Sequence, residues 1–460
     1  MRGMRLLLIF VALVLVASAC SSDSDDSAST DGASASTTVG DITDDGGGDE
    51  AADERAPSDD AEASDDGATD APAATEGVLR VPQDHDTIQA AVDAAVDGDL
   101  VLIDAGVYNE AVVVETDNIV IRGVDRNEVV LDGQHDLENG IKVFSNGVAV
   151  ENLTARNFTS NGVFFTGSYE DNIILNGYRA SYVTVHNNGD YGIYAFNAEN
   201  GLFEHSYGSG HPDSAFYIGQ CQPCNAVITD GLAENNALGY SGTNAGGELY
   251  IINSEWRNNR IGIVPNSLNS EELAPQRDAV FAGNWMHNNG NEDTPRKGSD
   301  WDLGFGVGLV VAGGNNDLIT KNLAENNVNG GIAIATFPDG DTFWQPNNNR
   351  VIDNVALGNP LDLVFFSLGE NSGNCFEGNT FETSQPADIE TNVPCDAPYV
   401  DISDQYTPPD PDSFNVIDYI DVPVPGPQEN MPDALTAPAV PATDVFVAPD
   451  VDAITVPEGA

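Results

Sequence analysis

The chain has 460 residues, with 74 Asp+Glu against 16 Lys+Arg and five cysteines, for a formal charge of −58. That length allows two to three domains, and the charge argues against nucleic acid as a partner, because phosphate binding is driven by Lys/Arg neutralisation and counterion release. The excess is uneven: residues 21 to 76 hold 18 acids and one base, residues 398 to 460 hold 12 acids and no base, and the stretch between them still holds 44 acids against 13 bases, which favours solubility and opposes polyanions at long range.

Residues 1 to 20 place Arg2 and Arg5 before an apolar stretch from Leu6 to Ala17 and then small residues ending at Cys20, the order of a secretory signal. The apolar run is too short to span a bilayer. Ala17-Ser18-Ala19-Cys20 resembles a bacterial lipoprotein box, with Ala17 where Leu is usual; the resemblance implies lipidation of Cys20 and a membrane anchor at the cell surface. Residues 21 to 76 have almost no large apolar side chain, so burial cannot offset their ordering entropy, and an acidic disordered tether is expected. Its flexible-chain reach is roughly 40 Å.

Between residues 77 and 397 the signal is a repeat. This stretch holds 42 Asn, many spaced as Asn-x-x-x-x-Asn: 152/157, 253/258, 284/289, 322/327 and 354/359, with Asp230/Asn235 as a variant. Coils marked by the first position begin near 152, 183, 206, 230, 253, 284, 322, 354 and 379, a basic period of 23 or 24 with insertions. A fixed period in this range means stacked units. Each unit carries short β-rich runs such as Leu249-Tyr250-Ile251-Ile252, the Asn pair, and a glycine with apolar neighbours, as in Gly192-Ile193-Tyr194. No unit leaves room for an ordinary helix, so the expected class is all-β: a parallel β-helix solenoid whose rungs are about 4.8 Å apart. Asn suits its corners because it tolerates left-handed backbone and bonds locally.

The entry to the repeat agrees. Asp86-Thr87 precedes Ile88, Ala91, Val92 and Ala95, a short amphipathic capping helix. Val81-Pro82, Thr87-Ile88-Gln89-Ala90-Ala91 and Gly106-x-Tyr108-x-Glu110 resemble the entry of right-handed parallel β-helix proteins of the pectin-lyase-like superfamily. The resemblance covers about residues 77 to 397 and implies a capped, right-handed solenoid. The superfamily includes lyases, esterases, hydrolases, epimerases and noncatalytic relatives, so the fold leaves activity open. The Pro/Asp-rich residues 398 to 460 are expected to be extended and mostly unfolded.

Export permits disulfides. Cys375 and Cys395 would pin the last coil, and Cys221-x-x-Cys224 reads as a local structural disulfide, since neither a βαβ setting nor two further zinc ligands accompany it.

Stacking turns the period into a surface map. Asp190, Asp213, Ala237 and Arg260 share one position, and the outward column beyond it is Tyr194, Tyr217, Ser241, Val264. Paired carboxylates on neighbouring rungs bind a cation or force one pKa upward. Polysaccharide lyases of this fold use acid-held calcium to neutralise a uronate carboxylate and a basic side chain to take the adjacent proton. The resemblance therefore implies Asp190 and Asp213 as holders of Ca2+, Arg260 as base or carboxylate clamp, and Tyr217 as proton donor. His211-Pro212-Asp213 resembles, in reverse order, the Asp-Pro-His of alginate epimerases. The motifs of pectin methylesterases and polygalacturonases are not found.

Five of the 13 bases fall at Arg257, Arg260, Arg277, Arg296 and Lys297, either an anion-binding patch or charge balance. Trp301 and Phe343-Trp344 lie in insertions, where aromatic faces suit sugar rings. Arg257, Arg277, Trp301 and Trp344 are therefore the candidate substrate-binding residues. The expected function is an exported, monomeric carbohydrate-interacting protein, a polysaccharide lyase or C5-epimerase on a uronate glycan. The alternatives are a noncatalytic cell-envelope scaffold and a metal-handling repeat protein like those of nitrous oxide reductase maturation, for which four Met and six His give few ligands.

Overall fold

The computed structural model describes residues 77–168, 171–369, 372–396 and 413–459. The leader, Cys20 and the tether lie outside the described residues. Three parallel sheets of 12, 11 and 10 strands run through residues 78 to 385, each sheet taking one strand per coil. Strands Leu175–Ser181, Ala198–Glu204, Ala226–Thr229 and Gly246–Ile252, for example, are successive neighbours in the 12-stranded sheet. The chain is a right-handed parallel β-helix, the hand that strand–crossover–strand connections take. Among the described strands the single antiparallel pair is the hairpin Phe337–Asp339 with Thr342–Trp344.

The period of two within each strand explains the winding. One inward column of the 12-stranded sheet runs Val101, Ile121, Val150, Ala180, Phe203, Ile228, Ile251, Phe281, Ile319, Val351, Phe376, and every member is buried. A Val, Ile or Phe buried this way contributes about 1.5–3 kcal/mol, repeated at each rung. The capping helix Ile88–Ala94 closes the first coil, with the Thr87 hydroxyl accepting from Ala90 N at 3.1 Å and Ile88, Ala91 and Val92 facing inward. At the other end Cys375 is joined to Cys395, and Cys221 to Cys224.

The asparagines occupy two adjacent columns rather than one. Asn152, Asp230 and Asn253 sit at left-handed corners with φ of 53°, 53° and 46°. Asn284, Asn322 and Asn354 lie one residue further along their coils and point inward. Each inward Asn accepts from the backbone N of its counterpart on the preceding coil and donates across the turn; Asn322, for instance, donates to Phe281 O at 2.8 Å and Asn354 Oδ1 at 2.9 Å. A second ladder runs through Asn236, Asn259, Asn289, Asn327 and Asn359. Carboxylates end both: Asp362 accepts from Asn359, and Glu390 from Asn379. The single sequence mark thus merged a corner with the rung bond beside it.

The tail corrects an expectation. Residues 413–459 are mostly extended, with short 3-10 turns at Tyr419–Asp421 and Val451–Ala453 and a turn at 432–436, but they are bound to the solenoid as a strap. Proline cannot donate to a strand ladder, yet the strap's carbonyls accept from solenoid cations. Arg122 donates to Ala434 O, Ala437 O and Pro438 O; Arg126 to Glu429 O; Arg179 to Val440 O; Lys321 to Val451 O and Asp452 O. Its apolar residues cover the outer face of the 12-stranded sheet: Ala439, Ala442 and Val445 against Leu100, Leu102, Val120 and Ala149, then Phe446, Val451 and Ile454 against Val227, Ile252 and Ala282. The Pro- and Asp-rich composition pointed to an extended chain, and the apolar surface that orders it is on the solenoid.

Candidate active site

The outward column of the 11-stranded sheet runs Lys142, Phe164, Tyr194, Tyr217, Ser241, Val264 by strand register. At its edge, Asp190 and Asp213 occupy neighbouring rungs, with Asp213 N donating to Asp190 O at 3.1 Å. Tyr191 lies between this pair and the column: its ring stacks on Tyr194 at 4.2 Å and meets Tyr217 edge-on at 5.0 Å.

Two insertions wall this place. The segment 290–305 precedes the strand Val307–Ala312 and brings Lys297 and Trp301. Lys297 Nζ forms an ion pair with Asp213 Oδ2 and stands 4.6 Å from the Trp301 ring centre and 5.8 Å from that of Tyr191. The segment following the strand Ile261–Asn266 brings Glu271, whose Oε1 accepts from the Tyr217 hydroxyl at 2.5 Å. Asn244 pins that segment by donating to Leu268 O and Glu271 O. The hairpin 337–344 braces it from outside through Asn269, which donates to Thr342 Oγ1 at 2.8 Å.

The electrostatics follow from burial. Asp190 is pushed up to about 7, first by desolvation and then by Asp213, with Lys297 opposing. Glu271 is likewise raised to about 7 by burial, with the Tyr217 hydroxyl and Lys297 opposing. Asp213 Oδ1 and Glu271 Oε2 are buried without hydrogen-bond partners, acceptors that a ligand hydroxyl would satisfy. With Asp190 raised to about 7, a carboxyl near its titration midpoint at neutral pH stands beside an ion-paired carboxylate, an arrangement suited to moving protons.

Sequence reasoning brought Asp190, Asp213 and Tyr217 to one place, and Trp301 joins them. Arg260 does not. It shares the column position, but its side chain is fully buried, held by Asp302 at 2.6 and 3.2 Å and enclosed by the Phe305 and Phe414 rings. A guanidinium so engaged has neither a free lone pair nor access to substrate. Tyr217 is also reassigned, because it is buried and its proton is committed to Glu271. Arg257 lies on the 10-stranded sheet between Glu234 and Glu255, and Arg277 bonds Gln222 at 3.0 Å. Trp344 sits in the hairpin with its ring nitrogen toward Asp339. The five cations of 257–297 are therefore mostly structural partners. His211 faces the interior, bonded to Asn236 at 2.8 Å and lowered to about 3 by burial, so it takes no part in the cleft.

Two residues were missed. Lys297 stood in the basic cluster but in an aperiodic insertion, where spacing carries no register; Glu271 lies in the other insertion, where the repeat gives it no register either. Calcium does not fit the pair as built. The Lys297 ammonium already pairs with one oxygen of Asp213, and Ca2+ takes 6–8 oxygens, whereas among the described residues no group of three His, Cys, Asp or Glu is placed to hold a metal.

No known family profile matches the chain, and no curated protein matches it in sequence. Solved structures similar to it include the A-module of mannuronan C-5 epimerase AlgE4 from Azotobacter vinelandii, at 15% identity and TM-score 0.44, covering 65% of this chain and 92% of that one. Pectate lyase Pel9A is similar at 15% identity and TM-score 0.38, covering 64% and 71%. An alginate lyase from Paenibacillus sp. str. FPU-7 is similar at 12% identity and TM-score 0.37, covering 65% and 93%. None is similar enough to carry an activity or a site residue over to this chain.

Proposed function

We propose that the chain is an exported, lipid-anchored carbohydrate-active protein whose cleft carries out β-elimination or C5-epimerisation on a uronate-containing glycan. The observation that carries this reading is the triad Asp190–Asp213–Lys297: one carboxyl raised to about 7 and a second ion-paired with an ammonium, beside the Tyr191–Tyr194 stack. Lys297 faces the uronate carboxylate and draws charge toward it, making the C5 proton more acidic. Asp213 takes that proton. In elimination the C4–O4 bond breaks as the C4=C5 bond forms, and Asp190 gives its proton to O4; in epimerisation a proton returns to C5 on the opposite face. Positioned acid–base groups of this kind contribute about 10²–10⁴-fold each.

The groove has a direction. Toward the N-terminal coils the column continues through Phe164, stacked on Tyr194 at 4.5 Å, to Lys142, which lies over the Phe144 and Phe164 rings. In the other direction Val264, Val310 and Ala333 are covered by Trp301 and Phe337. A chain seated on this face has its end at the triad and extends toward Lys142, so release from chain ends is expected.

The test is a panel of uronate polymers, with and without chelator, read for the ultraviolet absorbance of unsaturated products and for new reducing ends. Absorbance unaffected by chelator supports elimination. A second reading, hydrolysis, is favoured by the same two carboxyl groups on adjacent rungs, since glycosidases also work through a pair of carboxyl groups; reducing ends without absorbance would select it. Binding without turnover, weakened by Trp301→Ala, would select a scaffold role.

A further inference from the structure

The insertion that delivers Lys297 and Trp301 has no strand of its own, only the 3-10 turn Ser299–Gly304. Something other than a ladder must fix it. From within the solenoid Asp302 takes Arg260, and Arg296 adds a second ion pair to Asp302 at 2.7 Å. The remaining anchors come from the beginning of the strap. Phe414 stacks on Phe305 at 3.7 Å, and the Arg260 guanidinium lies 5.0 and 5.9 Å from those two rings. Arg260 also donates to Asn415 O at 3.1 Å. Asn415 N donates to Glu292 Oε2 at 3.0 Å, Asn415 Nδ2 to Asp293 Oδ1 at 3.2 Å, and Ile417 N to Thr294 O at 3.2 Å. The strap therefore grips residues 292, 293, 294 and 305, on both sides of Lys297 and Trp301.

We infer that Phe414 and Asn415 are positioning residues: the C-terminal strap fixes the insertion that carries Lys297, so the cleft is complete only when the strap is docked. This inference rests on the proposed cleft for its catalytic meaning but not for its structural content. The strap adds no strand to the coil ladders, and its contacts at this end are local. An aromatic pair with a cation against it is worth more than its area alone, and its loss frees a segment that has few other fixed backbone partners.

The experiment uses the full chain in three forms: wild type, Phe414→Ala, and Phe446→Ala. The last removes a strap ring at the far end, where Phe446 lies against Tyr250. Trypsin cuts after Arg296 and Lys297, and the rate of cleavage there reports the opening of the insertion with no assumption about activity. The inference expects at least tenfold faster cleavage at 296–297 in Phe414→Ala, wild-type rates in Phe446→Ala, and restored protection in Phe414→Tyr. If Phe414→Ala does not fold, Asn415→Ala is read the same way, with a smaller expected increase. Equal cleavage in wild type and the Phe414 variant, or equal acceleration in the Phe446 variant, overturns it. On any glycan that is turned over, Phe414→Ala should lower kcat and move the alkaline limb of the pH profile, while Phe446→Ala should do neither. Altered cleavage without turnover of any glycan would leave the strap's role standing and reject the proposed chemistry, so the two failures are distinct.

Discussion

Asp190 and Asp317 show how one physical cause gives two different uses. Asp317 is fully buried, donates nothing as a carboxylate, and is raised to about 7 by desolvation. Gln276 Nε2 bonds one of its oxygens at 2.9 Å, while Asp317 Oδ2 and Gln276 Oε1 are both left without partners. A proton on Asp317 would supply the donor that these two acceptors lack. An acid whose folded pKa is raised stabilises the fold fully below its unfolded value, near 4, and loses that contribution as pH climbs to about 7. Asp317 therefore makes the protein more stable at pH 4 than at pH 8 by an amount on the order of a few kcal/mol. Asp190 and Glu271 add in the same sense. Asp317→Asn keeps the pair with an amide, and urea titrations at the two pH values should show a smaller difference than in wild type; an unchanged difference would rule out this reading of Asp317.

At the scale of elements, the Asn ladder and the corner beside it make opposite demands on adjacent residues. Asn289 accepts from Asn259 N at 3.1 Å and donates to Trp256 O and Asn327 Oδ1 at 2.9 Å each. Replacing it with Ala takes the side-chain partner from Asn259 N and Trp256 O, while Asn327 Oδ1 keeps the bond from the backbone N of residue 289; at about 1–3 kcal/mol for each group left unpaired, Asn289→Ala should lower stability by at least ~2 kcal/mol. Asn258, at φ 51° one residue before the ladder, should lose only about 1–2 kcal/mol on change to Ala and little on change to Gly. Chemical denaturation of the three variants checks the contrast. The period alone exposed both columns, because each recurs at nearly the same interval; it could not separate them, since a corner and a rung bond select the same side chain. The same limit explains Arg260. Periodicity gives a column position, and Asp190, Asp213 and the Tyr194–Tyr217–Ser241–Val264 series were legible from it. Which way a long side chain turns depends on Asp302 and Phe414, which lie in an insertion and a tail without repeat.

Across the whole molecule, the acidic composition and the scarcity of bases acquire a structural meaning. Arg122, Arg126, Arg179, Arg260 and Lys321 all donate to strap carbonyls, which leaves few cations for any ligand. Lys142 has no ion-pair partner among the described residues and stands on the open end of the groove. Lys142→Met should raise KM for long uronate oligomers several-fold while leaving disaccharide-length substrates and kcat unchanged, measured by initial rates across oligomer lengths. A uniform effect at every length would remove Lys142 from the groove.

The proposed function depends on a protonated Asp190 beside the Asp213–Lys297 pair performing proton transfer on a glycan without a metal. Its most direct test is the pH–rate profile of the full chain in chelator, on the polymer that the panel selects, for wild type and Asp190→Asn. Turnover should fall as pH rises through about 7, where Asp190 loses its proton, and should drop about 10²-fold or more in Asp190→Asn with little change in KM. Turnover that appears only when calcium is restored, or that survives Asp190→Asn with the same profile, would contradict it.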